Sequence, residues 1–164
     1  MWRENILIFC IVGSQKFQFE RLIREMDRLV GDGIIQDEVI AQIGVCHYEP
    51  KHLKWQRFMD KNEFDHNIAE CDVLVTHAGE GCIMTGLLKG RKVIAVPRFA
   101  RFGEHLNDHQ LQIARAMEKQ NCLINVEDIS MLEEVFLHLD EYQLTPYETG
   151  KERIIQTICD FIGE

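Results

Sequence analysis

The sequence predicts an α/β fold, a single domain on a mostly parallel sheet. Three observations carry that expectation. Short apolar strand-like runs alternate with segments of helical periodicity along the chain. Several of those runs stop at a polar or glycine-bearing turn directly ahead of a helix. The chain has 164 residues, 46% of them hydrophobic, enough for one core and too few to suggest two. Parallel strands need crossover helices and are buried on both faces, and ligands of such sheets sit beyond the strands' C-terminal ends.

The elements follow in order. Residues 6–11 form the first strand, and 17–30 the first helix, with Phe19, Leu22, Ile23, Met26 and Leu29 recurring near period 3.6. A short strand over 39–43 and a short helix over 63–70 come next, then a strand over 72–76 that ends at His77-Ala78-Gly79. Residues 82–89 make a helix closed by Gly90 in the C-cap position, and 92–97 another strand. A polar loop over 98–107 leads to a helix over 108–119, which Asn107 can cap with Gln110 as reciprocal partner. A strand over 122–125 and helices over 130–139 and 151–162 complete the chain, the last one amphipathic.

Composition removes several function classes. A net charge of −9 argues against nucleic-acid binding, which needs a basic face. An anionic ligand would have to be held by helix N-termini and local arginines. The six cysteines are scattered without a CxxC pair, as expected of buried free thiols. No apolar run approaches the roughly 20 residues of a membrane-spanning helix. The N-terminus lacks the pattern of a signal peptide, so a cytoplasmic location is expected.

Three loops after strands gather at one edge of the sheet. The first is Gly13-Ser14-Gln15. The second, His77-Ala78-Gly79-Glu80-Gly81, sets two glycines between strand and helix, where backbone amides can meet a phosphate; such a turn is also common as plain structure. The third, from Arg98 to Gln110, collects Arg98, Arg101, Glu104, His105, Asn107, Asp108, His109 and Gln110. A solvated loop with a helix cap would have a similar composition. His77, His105 and His109 also allow a metal-dependent hydrolase reading, weakened by the lack of an HExxH pattern.

From Val73 to Glu118 the text VLVTHAGEGCIMTGLLKGRKVIAVPRFARFGEHLNDHQLQIARAME resembles the C-terminal domain of glycosyltransferase family 28. Within it the match is to the small catalytic subunits of two-component bacterial exopolysaccharide and capsule transferases (PssE-type) and their eukaryotic counterpart in dolichol-linked N-acetylglucosamine transfer. The opening ILIFCIVGSQKFQFERLIREMDRL is similar to that family's first strand, loop and helix. The resemblance implies a Rossmann-like domain equivalent to the C-terminal half of a GT-B enzyme. It also implies a UDP-sugar donor, no cofactor and no metal requirement. The expected activity is inverting transfer of a hexose, galactose or N-acetylglucosamine, to a lipid-linked saccharide. A membrane-anchored, acceptor-binding partner subunit would recruit the chain to the cytoplasmic face of the membrane.

Roles carry over by position. Ser14, flanked by Gly13 and Gln15, would hold the diphosphate together with amides from Ala78 and Gly79 to Gly81 and Cys82. Arg98 or Arg101 would stabilise the leaving group, and Glu104, His105 and Asn107 lie in the same binding loop. Asp108, His109 and Gln110 would meet sugar hydroxyls and phosphates. His77, Glu80 and His109 are base candidates. The chain departs from the family at Cys82, where a hydroxyl is usual, at Thr85, which replaces a ribose-binding glutamate, and at Glu80, expected to turn away from an anion. Those departures also suit a non-catalytic nucleotide-binding or scaffold subunit.

Overall fold

Leu7–Ile11 (β1) is the middle of the architecture, and its alternating side chains explain why. Ile8, Cys10 and Val12 enter one hydrophobic cluster, and Phe9 and Ile11 enter a second on the opposite face, so both faces of β1 are covered. The computed structural model describes residues 5–13 and 16–148. Ser14, Gln15 and the helix expected over 151–162 lie outside the described residues.

The remaining strands are Glu38–Gln42 (β2), Lys54–Gln56 (β3), Val73–Thr76 (β4), Lys92–Ala95 (β5) and Ile124–Asn125 (β6). All pair in parallel as one six-stranded sheet in the order β3-β2-β1-β4-β5-β6. The chain steps outward from β1 to β3, then returns to lay β4 against the other side of β1. Loops leaving the C-terminal ends of β1 and β4 therefore diverge, opening a crevice between them.

Helix α1 (Glu20–Gly31) packs Leu22, Ile23, Met26 and Leu29 into the first cluster, joined by Leu132, Val135 and Phe136 of α5 (Leu132–Leu137). On the other face, α2 (Lys61–Glu70), α3 (Glu80–Leu88) and α4 (His109–Lys119) contribute Ile68, Ile83, Leu87 and Ala114. Each fully buried aliphatic or aromatic side chain contributes about 1.5–3 kcal/mol of transfer free energy, so this two-sided burial holds the sheet together.

Several boundaries differ from expectation, each for a local reason. The first helix starts at Glu20, not Phe17, because the Phe19 backbone is non-helical (φ −140°, ψ 54°) and its N–H donates to Cys46 Sγ. Asp60 caps α2 by accepting from Glu63 N at 2.9 Å, which moves that helix's start to Lys61. β3 was not expected at all: it is a three-residue edge strand with exposed Lys54 and Gln56. Of residues 122–125 only Ile124 and Asn125 pair with β5. The helix expected over 130–139 breaks into 3-10 turns at Ile129–Met131 and Leu139–Glu141 around α5. Gly90 follows α3 in the left-handed region (φ +71°), as a C-terminal glycine should.

Candidate functional site

A cavity of about 620 Å³ opens where the loops after β1 and β4 part. Its inner wall is Ile11, Gly13 and His77, and one side is the start of α3 at Gly79, Gly81 and Cys82. Arg98, His105, His109 and Gln110 form the opposite side, and Phe58, Met59, Phe64 and Ile113 an apolar flank.

The β4–α3 turn is shaped around His77. Its N–H continues the sheet by donating to Ile11 O at 3.2 Å, and its ring Nδ1 lies 3.4 Å from the same carbonyl and 3.3 Å from Thr76 Oγ1. A carbonyl only accepts, so this contact favours the Nδ1–H tautomer and makes Nε2 the acceptor nitrogen. Burial, reinforced by Arg98 and His105, pushes the His77 pKa down to about 4, so the ring is neutral at physiological pH. The ring packs against two glycines: a Cβ at Gly79 would sit 2.3 Å from Nε2, and one at Gly13 3.1 Å. Ala78 between them is left-handed (φ +63°), a strain of about 1 kcal/mol that burial of the turn sustains.

The N-cap of α3 is Gly79, and among the described residues no side chain caps it, so the first-turn N–H groups carry the positive end of the helix dipole beside the cavity. Glu80, expected to turn away, is exposed and lines the same cavity, where solvent and the helix N-terminus both tolerate a carboxylate. Half-buried Cys82 lines it too, its thiol pKa pushed up by burial against the opposing pull of Thr76 and Arg98. Thr85 Oγ1 donates to Gly81 O one turn back at 2.8 Å and does not line the cavity.

The loop over 98–108 turns one arginine inward. Arg98, 1% exposed, donates from Nε to Gln110 Oε1 at 3.2 Å and from a terminal nitrogen to Val12 O at 3.5 Å. Among the described residues no carboxylate lies within ion-pair distance of it, although Glu104 favours its charge from farther off. Burial pulls the Arg98 pKa down, but an arginine stays protonated. Among the described residues the site therefore holds a buried cation without a contacting anion.

Several other loop residues have structural partners. Glu104 bonds Arg21 and Phe99 N. Arg101 stacks over the Phe99 and Phe102 rings, 4.7 and 4.8 Å from their centroids, and lines a separate hollow. Asp108 accepts from Ala100 N at 3.0 Å on that same side, away from the cavity. The expected capping pair also fails: Asn107 Oδ1 accepts from His109 N at 2.9 Å, while Gln110 turns inward to Arg98. His77, His105 and His109 all reach the cavity, yet among the described residues no group of three His, Cys, Asp or Glu could hold a metal ion. One ring nitrogen of His105 is engaged with Asn107 N.

The apolar flank was absent from the expected site. Phe58 and Met59 follow β3, and because that strand was not recognised, its loop was not placed at the C-terminal edge. Gln42 holds the turn by accepting from Met59 N at 3.0 Å, and Phe64 packs edge-on against Phe9 at 5.7 Å.

The model of the glycosyltransferase family 28 C-terminal domain matches residues 7–162. A UDP-N-acetylglucosamine transferase subunit ALG13 from Cryptococcus neoformans var. neoformans serotype D is 29% identical over 108 residues, covering 62% of this chain and 52% of that protein. The chain thus spans about half the length of the curated relatives it matches. Among solved structures, the solution structure of ALG13 aligns with TM-score 0.62 and 15% identity over 94% of this chain and 95% of that one. The kitacinnamycin glycotransferase gives TM-score 0.63 at 18% identity over 84% of this chain and 36% of that one. Acinetobacter baumannii MurG gives 0.58 at 15% over 86% and 42%. At these identities the structural likeness is one of fold.

Proposed function

The chain belongs to the glycosyltransferase family 28 C-terminal domain family, and from that premise we propose that it is the UDP-sugar-binding catalytic subunit of a split inverting glycosyltransferase. It transfers a hexose, galactose or N-acetylglucosamine, to a lipid-linked saccharide held by a membrane-anchored partner. The observation that carries this reading is Arg98: a buried guanidinium facing the cavity with no carboxylate in contact among the described residues, opposite the start of α3, whose N-cap is a glycine. Two fixed sources of positive potential on opposite sides of the cavity suit a diphosphate.

On this reading the diphosphate lies between the α3 amides and Arg98, the base against Phe58 and Met59, and the sugar toward His109 and Gln110. The acceptor hydroxyl oxygen forms the new bond to the anomeric carbon as the bond to UDP breaks, and the site stabilises charge gathering on the departing diphosphate. The hydroxyl proton passes to a base. Glu80 and His109, exposed at the cavity, are better placed for it than His77, whose ring packs behind Gly13 and Gly79. No part of this scheme requires a bound cation.

UDP should bind more tightly than ADP or GDP in calorimetric titrations, because the flank at Phe58 and Met59 leaves room for a small base. Equal affinities would reduce the site to a generic phosphate loop.

A further inference from the structure

We propose that Arg21 and Glu104 form a positioning clamp that sets Arg98 in the cavity, an inference resting on the reading of Arg98 as a diphosphate ligand. Neither residue lines that cavity. Arg21, on the first turn of α1, donates from Nε and a terminal nitrogen to the two Glu104 oxygens, both at 3.1 Å. The same terminal nitrogen donates to Pro97 O at 3.1 Å, and Glu104 accepts from Phe99 N at 3.1 Å. Pro97 and Phe99 are the two chain neighbours of Arg98. One ion pair therefore grips the backbone immediately before and after the residue that faces the ligand.

The clamp is built for rigidity. Glu104 is 1% exposed, so its charge is held by these bonds and little water. The Arg21 guanidinium lies over Phe19, Phe99 and Phe102, with centroid distances of 5.3, 5.6 and 5.1 Å. Gln18 Nε2 adds a bond to Phe102 O at 3.3 Å, joining the approach to α1 to the same loop. Gln110 Oε1 accepts from both the Nε–H and the backbone N–H of Arg98, at 3.2 and 3.4 Å, whereas the Arg21–Glu104 pair holds the backbone on either side of it, at Pro97 O and Phe99 N. Loosening the pair would leave Arg98 present but misplaced, and a misplaced guanidinium loses much of its value as a preorganised charge.

The test uses the full chain with Glu104→Gln and Arg21→Lys, each alone and in an Arg98→Met background. Two readouts are taken: UDP affinity by calorimetry, and the Arg98 Nε–H resonance of the unliganded protein by NMR. Glu104→Gln should weaken UDP about tenfold, the scale of one charge-assisted hydrogen bond. Arg21→Lys, a milder change that guards against misfolding, should weaken it severalfold. Both should shift or broaden the Arg98 Nε–H signal, and both losses should shrink to under about twofold in the Arg98→Met background. An unmoved resonance with unchanged affinity overturns the clamp, as does an equal loss with and without Arg98. If the wild-type chain fails to bind UDP at all, the proposed function falls, and the resonance still decides whether the clamp positions Arg98.

Discussion

His77 links the local strain of the turn to a measurable pH dependence. Its folded pKa of about 4 lies below the ordinary 6.5 chiefly because burial disfavours the imidazolium, with Arg98 and His105 adding to it. Below pH 6.5 the unfolded chain takes up a proton at this position that the folded protein refuses until about pH 4. Above 6.5 the residue contributes no pH dependence. As pH falls through the window it destabilises the fold by about 1.4 kcal/mol per unit, approaching about 3 kcal/mol. His77→Asn keeps a donor near Ile11 O but cannot titrate. Denaturant unfolding from pH 7 to 4 should therefore show a shallower loss of stability in the variant, and parallel curves would mean that His77 titrates in the folded protein as it does in the unfolded chain. The sequence marked His77 and its glycines as a ligand turn. It could not show that the ring itself occupies the space a Cβ would need at Gly79.

At the scale of elements, the start of α4 separates two residues that sequence reasoning had grouped together. Asp108 and Gln110 stand two apart, yet the helix turns Asp108 to Ala100 N on the outer side and Gln110 to Arg98 in the cavity. Gln110→Ala should release the Arg98 side chain and weaken UDP itself severalfold. Asp108→Ala should change UDP affinity less than twofold. Equal effects of the two in calorimetry would sink this separation. The expected Asn107–Gln110 cap failed for the same reason: a buried arginine offers a glutamine oxygen a stronger partner than an exposed backbone N–H does. Strands with both faces buried, such as Val73–Thr76 and Lys92–Ala95, were legible as continuous apolar runs. The edge strand Lys54–Gln56 was not, because three residues with exposed ends carry no periodic signal. With it went Phe58 and Met59, the apolar side of the site.

At the scale of the whole described chain, the cavity sits at the C-terminal edge of the sheet. The sheet, its crossover helices and the crevice between β1 and β4 supply one wall of a cleft, and the chain corresponds to 42% of MurG and 36% of the kitacinnamycin glycotransferase. Among the described residues no helix is long and apolar enough to cross a membrane. The proposed function places the lipid-linked acceptor and the opposite wall on a partner subunit. The described chain carries exposed Phe58, Phe102 and Leu106 in loops after β3 and β5, at the edge where such a wall would approach. Purified alone, the chain should bind UDP in calorimetry yet transfer labelled hexose to a lipid-linked acceptor at a rate near background. Coexpression with the proposed membrane-anchored partner should raise transfer by orders of magnitude and move the chain to the membrane fraction, since transfer requires the acceptor hydroxyl to be held in line with the anomeric carbon. Full activity of the isolated chain on that acceptor would remove the need for a second wall and overturn the split-enzyme reading. Absence of transfer in the presence of the partner, with UDP binding intact, would favour a non-catalytic nucleotide-binding subunit.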